Sequence, residues 1–440
     1  MESHAFLLKT KQSNVFAQDE IRIITHSCSI GNHPVSKLPL EIRERYLQGL
    51  HAVLPVNNPI MSVLYKAWEK SILGQGQRIS YVSGGTKNKV RAAIKLNRIN
   101  GRWVRLSYSF FFDCFYLTSL CKPGMLHKQL EQYSEYCNFI TRKHLRNVYG
   151  YFMSNQSCDK IPVELIRHKE TNEQFATLPL KRILVVANVS AGKSTLINAF
   201  AGKRINKTAE NACTKELCHV FSKPLSDGIT IKTRNEDKYM YIDSFDKQLS
   251  SEGEQIGVCF DSNLLQSKKI CFIDTPGIND AISKSSREIT EKAIIDNDYD
   301  AIIYVANASY IDRIDEHKQL EFVIYHTKKP IVFVLNQFDR YNPESDSIEN
   351  AIHDFREDIV QLGIHDPIIV PTSAYYALMF RLDEKGLLSE RENKKLENSK
   401  RWFAEEYYNL PSYVIGSTDS SNNMIHRTGM YLLEQVIQTI

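Results

Sequence analysis

A glycine-lysine-serine loop between a predicted strand and a predicted helix constrains the fold of this chain more than any other segment. The loop covers residues 187–195 and reads Ala-Asn-Val-Ser-Ala-Gly-Lys-Ser-Thr. The apolar run Ile183–Val186 precedes it, and Leu196–Phe200 continues it as a predicted helix. Backbone N–H groups in such a loop, together with the positive end of the helix dipole, face an anion. The sequence therefore predicts a phosphate-binding loop in an α/β domain.

The side chains of this loop indicate which ligand it holds. Lys193 is placed to reach the β- and γ-phosphates of a nucleotide, and the Ser194 hydroxyl is placed to ligate Mg²⁺. Ala187 stands where such loops usually carry a first glycine, and a methyl group is the smallest addition to a close backbone approach. We expect the nucleotide to be bound by Asn188, Val189, Ser190, Ala191, Gly192, Lys193, Ser194 and Thr195.

Apolar runs recur after residue 182, and helix-length stretches separate them. Near-continuous apolar strands of this kind indicate a mostly parallel sheet that is covered on both faces. Ligands of such sheets bind at the carboxyl ends of the strands. The runs are 183–186, 270–273, 302–305, 331–335 and 368–370.

A second motif follows the run that ends at Ile273. Asp274-Thr275-Pro276-Gly277 comes directly after this predicted strand. An aspartate at this position can hold Mg²⁺ through water, and the N–H of Gly277 can meet the γ-phosphate. We therefore predict Asp274 as a metal residue and Gly277 as a catalytic residue.

A third motif, Asn336-Gln337-Phe338-Asp339, follows the run that ends at Leu335. The carboxylate of Asp339 can accept hydrogen bonds from N1–H and the exocyclic amine of guanine, and adenine lacks this donor pair. A site built to hydrogen-bond a missing group discriminates by roughly 10⁴–10⁵. Gln337 replaces the usual lysine, so we expect weaker nucleotide affinity. Ser373 and Ala374, after the last predicted strand, are expected to lie against the base.

A threonine between the first two motifs completes the predicted set. Thr214 lies 20 residues after Ser194. A switch threonine at such a place binds Mg²⁺ when the γ-phosphate is present and releases it after hydrolysis. Thr208 is the alternative, and Thr214 is preferred.

In order and spacing these motifs resemble a GTPase of the dynamin superfamily, in its bacterial dynamin-like branch. The resemblance covers roughly residues 176–440 and also rests on the long insert between Thr214 and Asp274. It implies an enlarged Ras-like P-loop GTPase domain whose hydrolysis of GTP accelerates when two GTPase domains meet face to face as a homodimer. It also implies that Ser190 helps to position a charge-compensating monovalent cation and that the carbonyl of Thr214 orients the attacking water. Lys193, Ser190, Thr214 and Gly277 are thus the expected catalytic residues.

Three departures from that family modify the expectation. Eukaryotic dynamins carry glutamine at the position of Val189, and Ras-type enzymes carry glutamine at the position of Ile278. Without either glutamine, we expect an isolated monomer to hydrolyse GTP slowly. The segment 427–433 resembles the final GTPase helix, so we expect no stalk after it. We therefore do not expect this chain alone to divide membranes by forming a helical collar. Two alternatives stay open: a slow or non-hydrolysing GTP-dependent binding module, and an RNA- or ribosome-associated GTPase.

Residues 1–175 form a predicted separate domain of mixed α+β structure, with basic character. They carry 24 Lys+Arg and 13 Asp+Glu, a balance of +11, whereas residues 176–440 have a balance of −7. We predict two helices over 41–72, strands over 78–110 and one helix over about 124–152. The strands include a hairpin in which Val90–Leu96 alternates, Asn100-Gly101 turns, and Val104–Phe110 alternates back.

This predicted hairpin carries many basic residues, and Arg91, Ala93, Lys95 and Asn97 are expected on its exposed face. An ordinary charged strand face, docking on the acidic half of the chain, and binding of nucleic acid or an acidic membrane surface are the alternatives. We also expect an unknown protein partner for this domain.

The remaining features of the sequence indicate a cytoplasmic protein. Nine scattered cysteines without a C-x-x-C pair suit a reducing compartment. No apolar run is long enough to span a bilayer. The first residues, Met1–His4, lack the pattern of a signal peptide.

Overall fold

A computed structural model describes residues 21–440, except for 75–76, 78, 82–83, 122, 155, 189, 206–216, 234–238, 243–254, 277–283, 312 and 415–422. The chain divides into two compact units. The first contains the described residues up to Thr177 together with those of 225–231 and 236–243. The second contains 178–224, 232–235 and the described residues from 255 onward.

Seven helices of the first unit have defined bounds in the described residues. The two helices predicted over 41–72 are confirmed as α1 and α2. The side chain of Asn58 accepts a hydrogen bond from the Met61 N–H at 3.1 Å, and Pro59 takes the first position of α2, so both residues fix where this helix begins. The helices are α1 (Leu40–Val53), α2 (Pro59–Leu73), α3 (Thr86–Ala93), α4 (Ser107–Cys121), α5 (Leu126–Ser134), α6 (Phe139–Ser154) and α7 (Val163–Thr177).

The predicted hairpin is confirmed at its turn and wrong in its length. Strands β1 (Asn97–Ile99) and β2 (Arg102–Val104) pair antiparallel, and Asn100 and Gly101 both take positive φ, +49° and +79°. The flanking segments are helices α3 and α4. Val90, Ala93 and Ile94 are buried at helical spacing, whereas Leu96 is 40% exposed. The expected face is therefore wrong for Ala93 and Asn97, which are both buried.

The single helix predicted over 124–152 is also wrong, because two helices occupy this range. The break between α5 and α6 falls at 135–138, where the Asn138 side chain accepts a hydrogen bond from the Thr141 N–H at 2.9 Å. This cap starts a new helix and leaves Ile140 exposed rather than in line with the buried residues of α5. The polar segment 155–178 contains helix α7, which ends at Thr177.

The segment 225–231 packs within the first unit through a small set of hydrogen bonds. The Ser27 hydroxyl donates to the Leu225 carbonyl at 3.1 Å, and the Leu225 N–H donates back to that hydroxyl at 3.0 Å. The Asp227 carboxylate accepts from the Cys28 N–H at 2.7 Å. Asn172, on α7, accepts from the Ser27 N–H at 2.8 Å. The segment 225–231 is thereby bound to residues of the first unit that are about 200 positions earlier in the sequence.

The predicted parallel sheet is confirmed. The sheet has nine strands among the described residues, in the order β11-β10-β9-β3-β8-β4-β7-β5-β6, and all five predicted apolar runs form parallel strands of it. Strand β4 is antiparallel to β8. The strands are β3 (Leu180–Ala187), β4 (Cys218–Ser222), β5 (Thr230–Thr233), β6 (Tyr239–Ile242), β7 (Gln255–Val258), β8 (Lys269–Asp274), β9 (Ala301–Asn307), β10 (Ile331–Asn336) and β11 (Ile368–Thr372).

Helices cover both faces of this sheet. One core joins alternate residues of β3 and β8 to apolar residues of α8, α12 and α15. On the other face, Phe333 of β10 contacts Phe355 of α11, and Tyr304 of β9 contacts Glu316 of α10. The helices of the second unit are α8 (Lys193–Ala201), α9 (Lys284–Asp296), α10 (Ile314–His326), α11 (Ile348–Gln361), α12 (Ala374–Glu384), α13 (Glu390–Phe403), α14 (Met424–Arg427) and α15 (Met430–Thr439).

None of the helices within the described ranges has the length and apolar character required to cross a bilayer.

Candidate nucleotide site

The predicted motifs converge because the strands that carry them are parallel. The phosphate loop follows β3, Asp274 ends β8, Asn336 ends β10, and Ser373 follows β11. The carboxyl ends of these strands share one edge of the sheet, which is where doubly wound folds bind ligands. The sheet therefore assembles residues that are far apart in sequence.

The phosphate loop requires glycine at position 192. Gly192 takes a φ of +93°, and a Cβ built there would lie 2.5 Å from the side-chain nitrogen of Asn336. Helix α8 begins at the next residue, Lys193, so the loop delivers the chain directly into a helix N-terminus. Ser190 also takes a left-handed conformation, with φ +67°. Ala191 is buried, and Ser194 and Thr195 are half-buried in the first turn of α8.

Lys193 and Asp274 form a buried ion pair. The ammonium group of Lys193 donates to Oδ1 of Asp274, and both side chains are almost entirely removed from solvent. The neighbouring Thr275 hydroxyl donates to the Val185 carbonyl at 2.9 Å, which fixes the end of β8 against β3. A cationic group and a carboxylate thus meet where α8 begins.

The oxygen donors here suit Mg²⁺. Mg²⁺ is usually bound by one or two carboxylates with substrate phosphates and water, rather than by a cage of protein ligands. Ser194 supplies a hydroxyl and Asp274 a carboxylate, whereas the described residues hold no cluster of three or more His, Cys, Asp or Glu side chains that would bind a metal alone. The donor set fits a metal held jointly with a nucleotide.

Asn336 links three segments of the site. Its side-chain nitrogen donates to the Ala191 carbonyl of the phosphate loop at 2.8 Å. Its side-chain oxygen accepts from the Ala374 N–H at 3.0 Å and from the Thr372 hydroxyl at 3.2 Å. The side chain is buried, so each of these bonds forms without competition from water. Asn336 therefore holds the phosphate loop and the predicted base loop together.

Asp339 lies beside the predicted base loop. Its Oδ1 accepts a hydrogen bond from the Ser373 hydroxyl at 2.6 Å. Burial raises the pKa of the Asp339 carboxyl, while the bond from Ser373 opposes that rise. Desolvation disfavours the charged form of a carboxyl, and a donor aimed at it favours that form. Asp339 is thus an acceptor in a site of low polarity.

Gln337 contacts the phosphate loop and the end of β9. Its Nε2 donates to the Ser190 carbonyl at 2.5 Å, and its Oε1 accepts from the Asn307 side chain at 3.2 Å. The backbone of Gln337 takes a φ of +76°, which is uncommon for a residue other than glycine. Neither contact was predicted, because the sequence motif indicates only that Gln337 lies near the base of the nucleotide.

Four predicted positions lie outside the described residues: Val189, Thr214, its alternative Thr208, and Gly277. The roles assigned to them stay predictions.

A buried acid that was not predicted from the sequence contacts the phosphate loop. Glu316, on α10, accepts from the Asn188 side chain at 2.5 Å through Oε2 and from the Tyr304 hydroxyl at 2.7 Å through Oε1. Burial raises the pKa of Glu316, and these two hydrogen bonds oppose the rise. The only signal in the sequence is one acid among the charged residues at the start of a helix, so no pattern singled it out.

Part of this site lies in a region that is similar to a known family. A family model described as the dynamin family matches residues 183–338. A probable transmembrane GTPase, FZO-like and chloroplastic, from Arabidopsis thaliana is 25% identical over 261 residues, which are 58% of this chain and 25% of that protein. A bacterial dynamin-like protein from Nostoc punctiforme is 27% identical over 177 residues, 36% of this chain and 25% of that protein.

A GTPase Der from Lactobacillus helveticus is 32% identical over 144 residues, which are 31% of each chain. This chain thus spans about a quarter to a third of the length of these relatives. The matched region 183–338 runs from β3 through Asn336 to the residue before Asp339, and so contains the phosphate loop and the Asp274 motif. Over residues 183–338 this chain is thus similar to the dynamin family.

Proposed function

We propose that this protein binds GTP and hydrolyses it to GDP and phosphate, as a switch of the dynamin-like class. Lys193 and the backbone of the phosphate loop hold the phosphates, and Asp339 accepts hydrogen bonds from guanine. Ser373 and Ala374 lie beside the base, and Ser190 is placed to help position a monovalent cation. Bound Mg²⁺, held by Ser194, Asp274 and Thr214, supplies charge neutralisation at the β- and γ-phosphates.

The observation that carries this proposal is the bridge made by Asn336. One buried side chain bonds the Ala191 carbonyl of the phosphate loop and the Ala374 N–H of the base loop. A chain that binds only an anion has no need for this link. A chain that binds a nucleotide gains from it, because the phosphate loop and the base loop are held at a fixed separation before the ligand arrives.

Hydrolysis requires groups that this chain does not carry at the usual positions. Val189 and Ile278 replace the glutamines that position water in related enzymes. We propose that a second copy of the GTPase domain, or a partner protein, completes the site. Groups supplied in trans are worth about 10³–10⁵ in comparable GTPases. The rival proposal is a binding module that holds GTP and scarcely hydrolyses it. In that proposal no second copy or partner completes the site for hydrolysis.

The first unit supports a role in docking on an acidic surface. Eight exposed basic residues surround the hairpin and the start of α6, and we call them the basic surface: Arg91, Lys95, Arg98, Arg102, Arg105, Arg142, Lys143 and Arg146.

These elements adjoin one another, since the Arg105 side chain lies 3.1 Å from His144 of α6 and Arg91 donates to the Tyr136 carbonyl at 3.4 Å. Trp103 and Phe139 are 66% and 89% exposed beside them. Basic and apolar groups together suit an acidic membrane surface, and aromatic rings with arginines also suit nucleic acid. The eight described free cysteines suit a reducing compartment, and we propose the cytoplasm.

The experiment that tests the nucleotide proposal is a change of base preference. An amide at position 339 keeps one acceptor for N1–H, but its NH2 group then faces the exocyclic amine of guanine, donor against donor. In xanthine the same NH2 group meets the C2 carbonyl and can donate to it. We expect Asp339→Asn to weaken GDP binding by at least about 100-fold and to bind xanthosine diphosphate more tightly than GDP.

The matched control is Asp346→Asn, an exposed acid on the surface of the same unit, which we expect to keep the preference of the unaltered protein. Titration with fluorescent GDP, in competition with ADP and xanthosine diphosphate, measures both. A preference that stays the same after Asp339→Asn contradicts guanine recognition by this residue.

A further inference from the structure

Helix α10 contacts the phosphate loop through a residue, Glu316, that lies outside all of the sequence motifs of the site. Glu316 is 5% exposed, and both of its carboxylate oxygens are bonded. Oε2 faces the side-chain nitrogen of Asn188, the first residue after β3. The acid therefore bonds the loop where the loop leaves the sheet.

A second bond fixes Glu316 to the sheet itself. Tyr304 lies in the middle of β9, is fully buried, and donates its hydroxyl to Oε1 of Glu316 at 2.7 Å. In the sheet register Tyr304 pairs with Val186, two residues before Asn188. The chain Tyr304–Glu316–Asn188 thus begins at a rigid strand and ends on the phosphate loop. A side chain held at one oxygen in this way presents its other oxygen at a defined place.

The negative charge of Glu316 cannot attract the phosphates of a nucleotide. A carboxylate this close to a loop that binds phosphates repels the ligand, and its burial without a cation costs free energy. Within the described residues the donors that bond the Glu316 carboxylate are an amide and a hydroxyl, both neutral. The geometry is therefore better explained by what Glu316 does to Asn188 than by an effect of its charge on the nucleotide.

We propose that Glu316 is a positioning residue, which orients Asn188 through a hydrogen bond and thereby sets the conformation of the phosphate loop for nucleotide binding. The inference rests on the proposed nucleotide site. It assigns to α10 a function in ligand binding that no sequence motif of the site carries.

Hydrogen-bond chemistry provides a conservative variant. In Glu316→Gln the amide oxygen accepts from Asn188, and the amide nitrogen donates to the Tyr304 hydroxyl, which can accept as well as donate. We expect this variant to bind GDP within about two-fold of the unaltered protein. Glu316→Ala removes both bonds, and we expect it to bind about ten-fold more weakly, the scale of one charge-assisted hydrogen bond. Gln319→Ala is the matched control, a buried polar residue three positions along the same helix, and we expect it to bind normally.

A charge swap tests the pair directly. Asn188→Asp places a second carboxylate against Glu316, and we expect GDP binding to weaken by at least about ten-fold. In the double variant Asn188→Asp with Glu316→Gln, the amide nitrogen donates to the new carboxylate and its oxygen accepts from Tyr304. We expect this double variant to recover GDP binding to within about three-fold of the unaltered protein. A purely structural effect of Glu316 on folding predicts no such recovery.

The measurement is GDP titration at constant Mg²⁺, with circular dichroism and thermal unfolding of each variant. Normal binding by Glu316→Ala, or a double variant no tighter than Asn188→Asp, overturns the inference. If Glu316→Ala does not fold, the charge swap decides alone. An unaltered protein that prefers adenine nucleotides, or binds none, refutes the proposed function instead, so the two failures are distinguishable.

Discussion

At the scale of single residues, the site depends on where a few polar atoms lose their contact with water. Asp339 is the clearest case, because its carboxylate is both the predicted base-recognition group and a group whose ionisation is disfavoured by burial. The Ser373 hydroxyl, 2.6 Å away, partly restores the charged form. The proposed recognition of guanine and the binding of a proton would therefore compete at one side chain.

This competition predicts a pH dependence. Only the ionised carboxylate accepts from both guanine donors, and its pKa is raised, so protonation begins at a higher pH than for an exposed aspartate. Lowering the pH through this raised pKa should reduce the preference for GDP over ADP. The ratio of the two dissociation constants measures it, since titration of the phosphates affects both ligands alike.

Ser373→Ala provides the internal check on this pH dependence. The substitution removes the Ser373 hydroxyl, whose hydrogen bond lowers the pKa of Asp339. The fall in the preference for GDP over ADP should therefore begin at a higher pH than in the unaltered protein. A ratio that is independent of pH in both proteins would show that Asp339 does not meet the base.

The residues of the site were predictable only where the chemistry has a local pattern. Lys193, Asp274 and Asn336 follow apolar runs in recognisable order, and the sheet brings them to one edge. Glu316 and Asn307 carry no such pattern, because their contacts arise from the packing of α10 against the phosphate loop and of the end of β9 against Gln337. Gln337 was predicted from its place in a motif, but its bond to Ser190 depends on a left-handed backbone that the sequence does not announce.

At the scale of elements, the end of β11 is held in place by the start of α15. Gly429 precedes this helix with a φ of +76°, and a Cβ built on it would lie 1.9 Å from the Pro371 carbonyl. The neighbouring Thr428 carbonyl accepts from the Ser373 N–H at 2.9 Å. The C-terminal helix therefore buttresses the base loop through one close backbone approach.

Gly429→Ala should damage both stability and binding. The clash forces α15 and β11 apart, and we expect the free energy of unfolding to fall by at least about 3 kcal/mol, with weaker GDP binding. Gly363→Ala is the matched control, since Gly363 has a φ of +102° but no atom within 4 Å of its built Cβ. We expect about 1 kcal/mol there, from backbone strain alone. Urea unfolding followed by circular dichroism measures both, and equal losses would refute the close-approach explanation.

Elements with a long apolar run were predicted well, and short ones were not. The five strands of the parallel sheet and the two helices α1 and α2 follow from periodicity and caps. The segment before the hairpin was predicted wrongly, because Val90 and Ile94 fit both an alternating strand and a helical face. The burial of Ala93 with them is consistent only with the helix. Only their packing against neighbouring helices decides between the two.

At the scale of the whole molecule, the proposed hydrolysis of GTP requires a group from outside one chain. The described site contains a phosphate loop, an acid beside it and a base loop, and the positions of the water-orienting glutamines hold Val189 and Ile278. We therefore expect hydrolysis to be activated by contact with a second copy or a partner rather than by the binding of nucleotide alone.

Specific GTPase activity should therefore rise with protein concentration. We expect an increase of at least about ten-fold over a hundred-fold rise in concentration, because a trans-acting group replaces the missing glutamine. Anionic vesicles or RNA, added at low protein concentration, should act through the basic surface and lose their effect at high salt. Constant specific activity under all of these conditions would favour the binding module over the enzyme.

The hydrogen bonds of Leu225 and Asp227 with Ser27 and Cys28 have a consequence for dissection of the protein. A cut after Thr177 separates Ser27 and Cys28 from their hydrogen-bond partners Leu225 and Asp227. Those partners stay on the C-terminal fragment, although the segment 225–231 belongs to the first unit. No single cleavage of the polypeptide yields both units intact. Fragment expression would thus expose unsatisfied donors and acceptors on each piece, and complementation by mixing the pieces, rather than truncation, is the way to examine them separately.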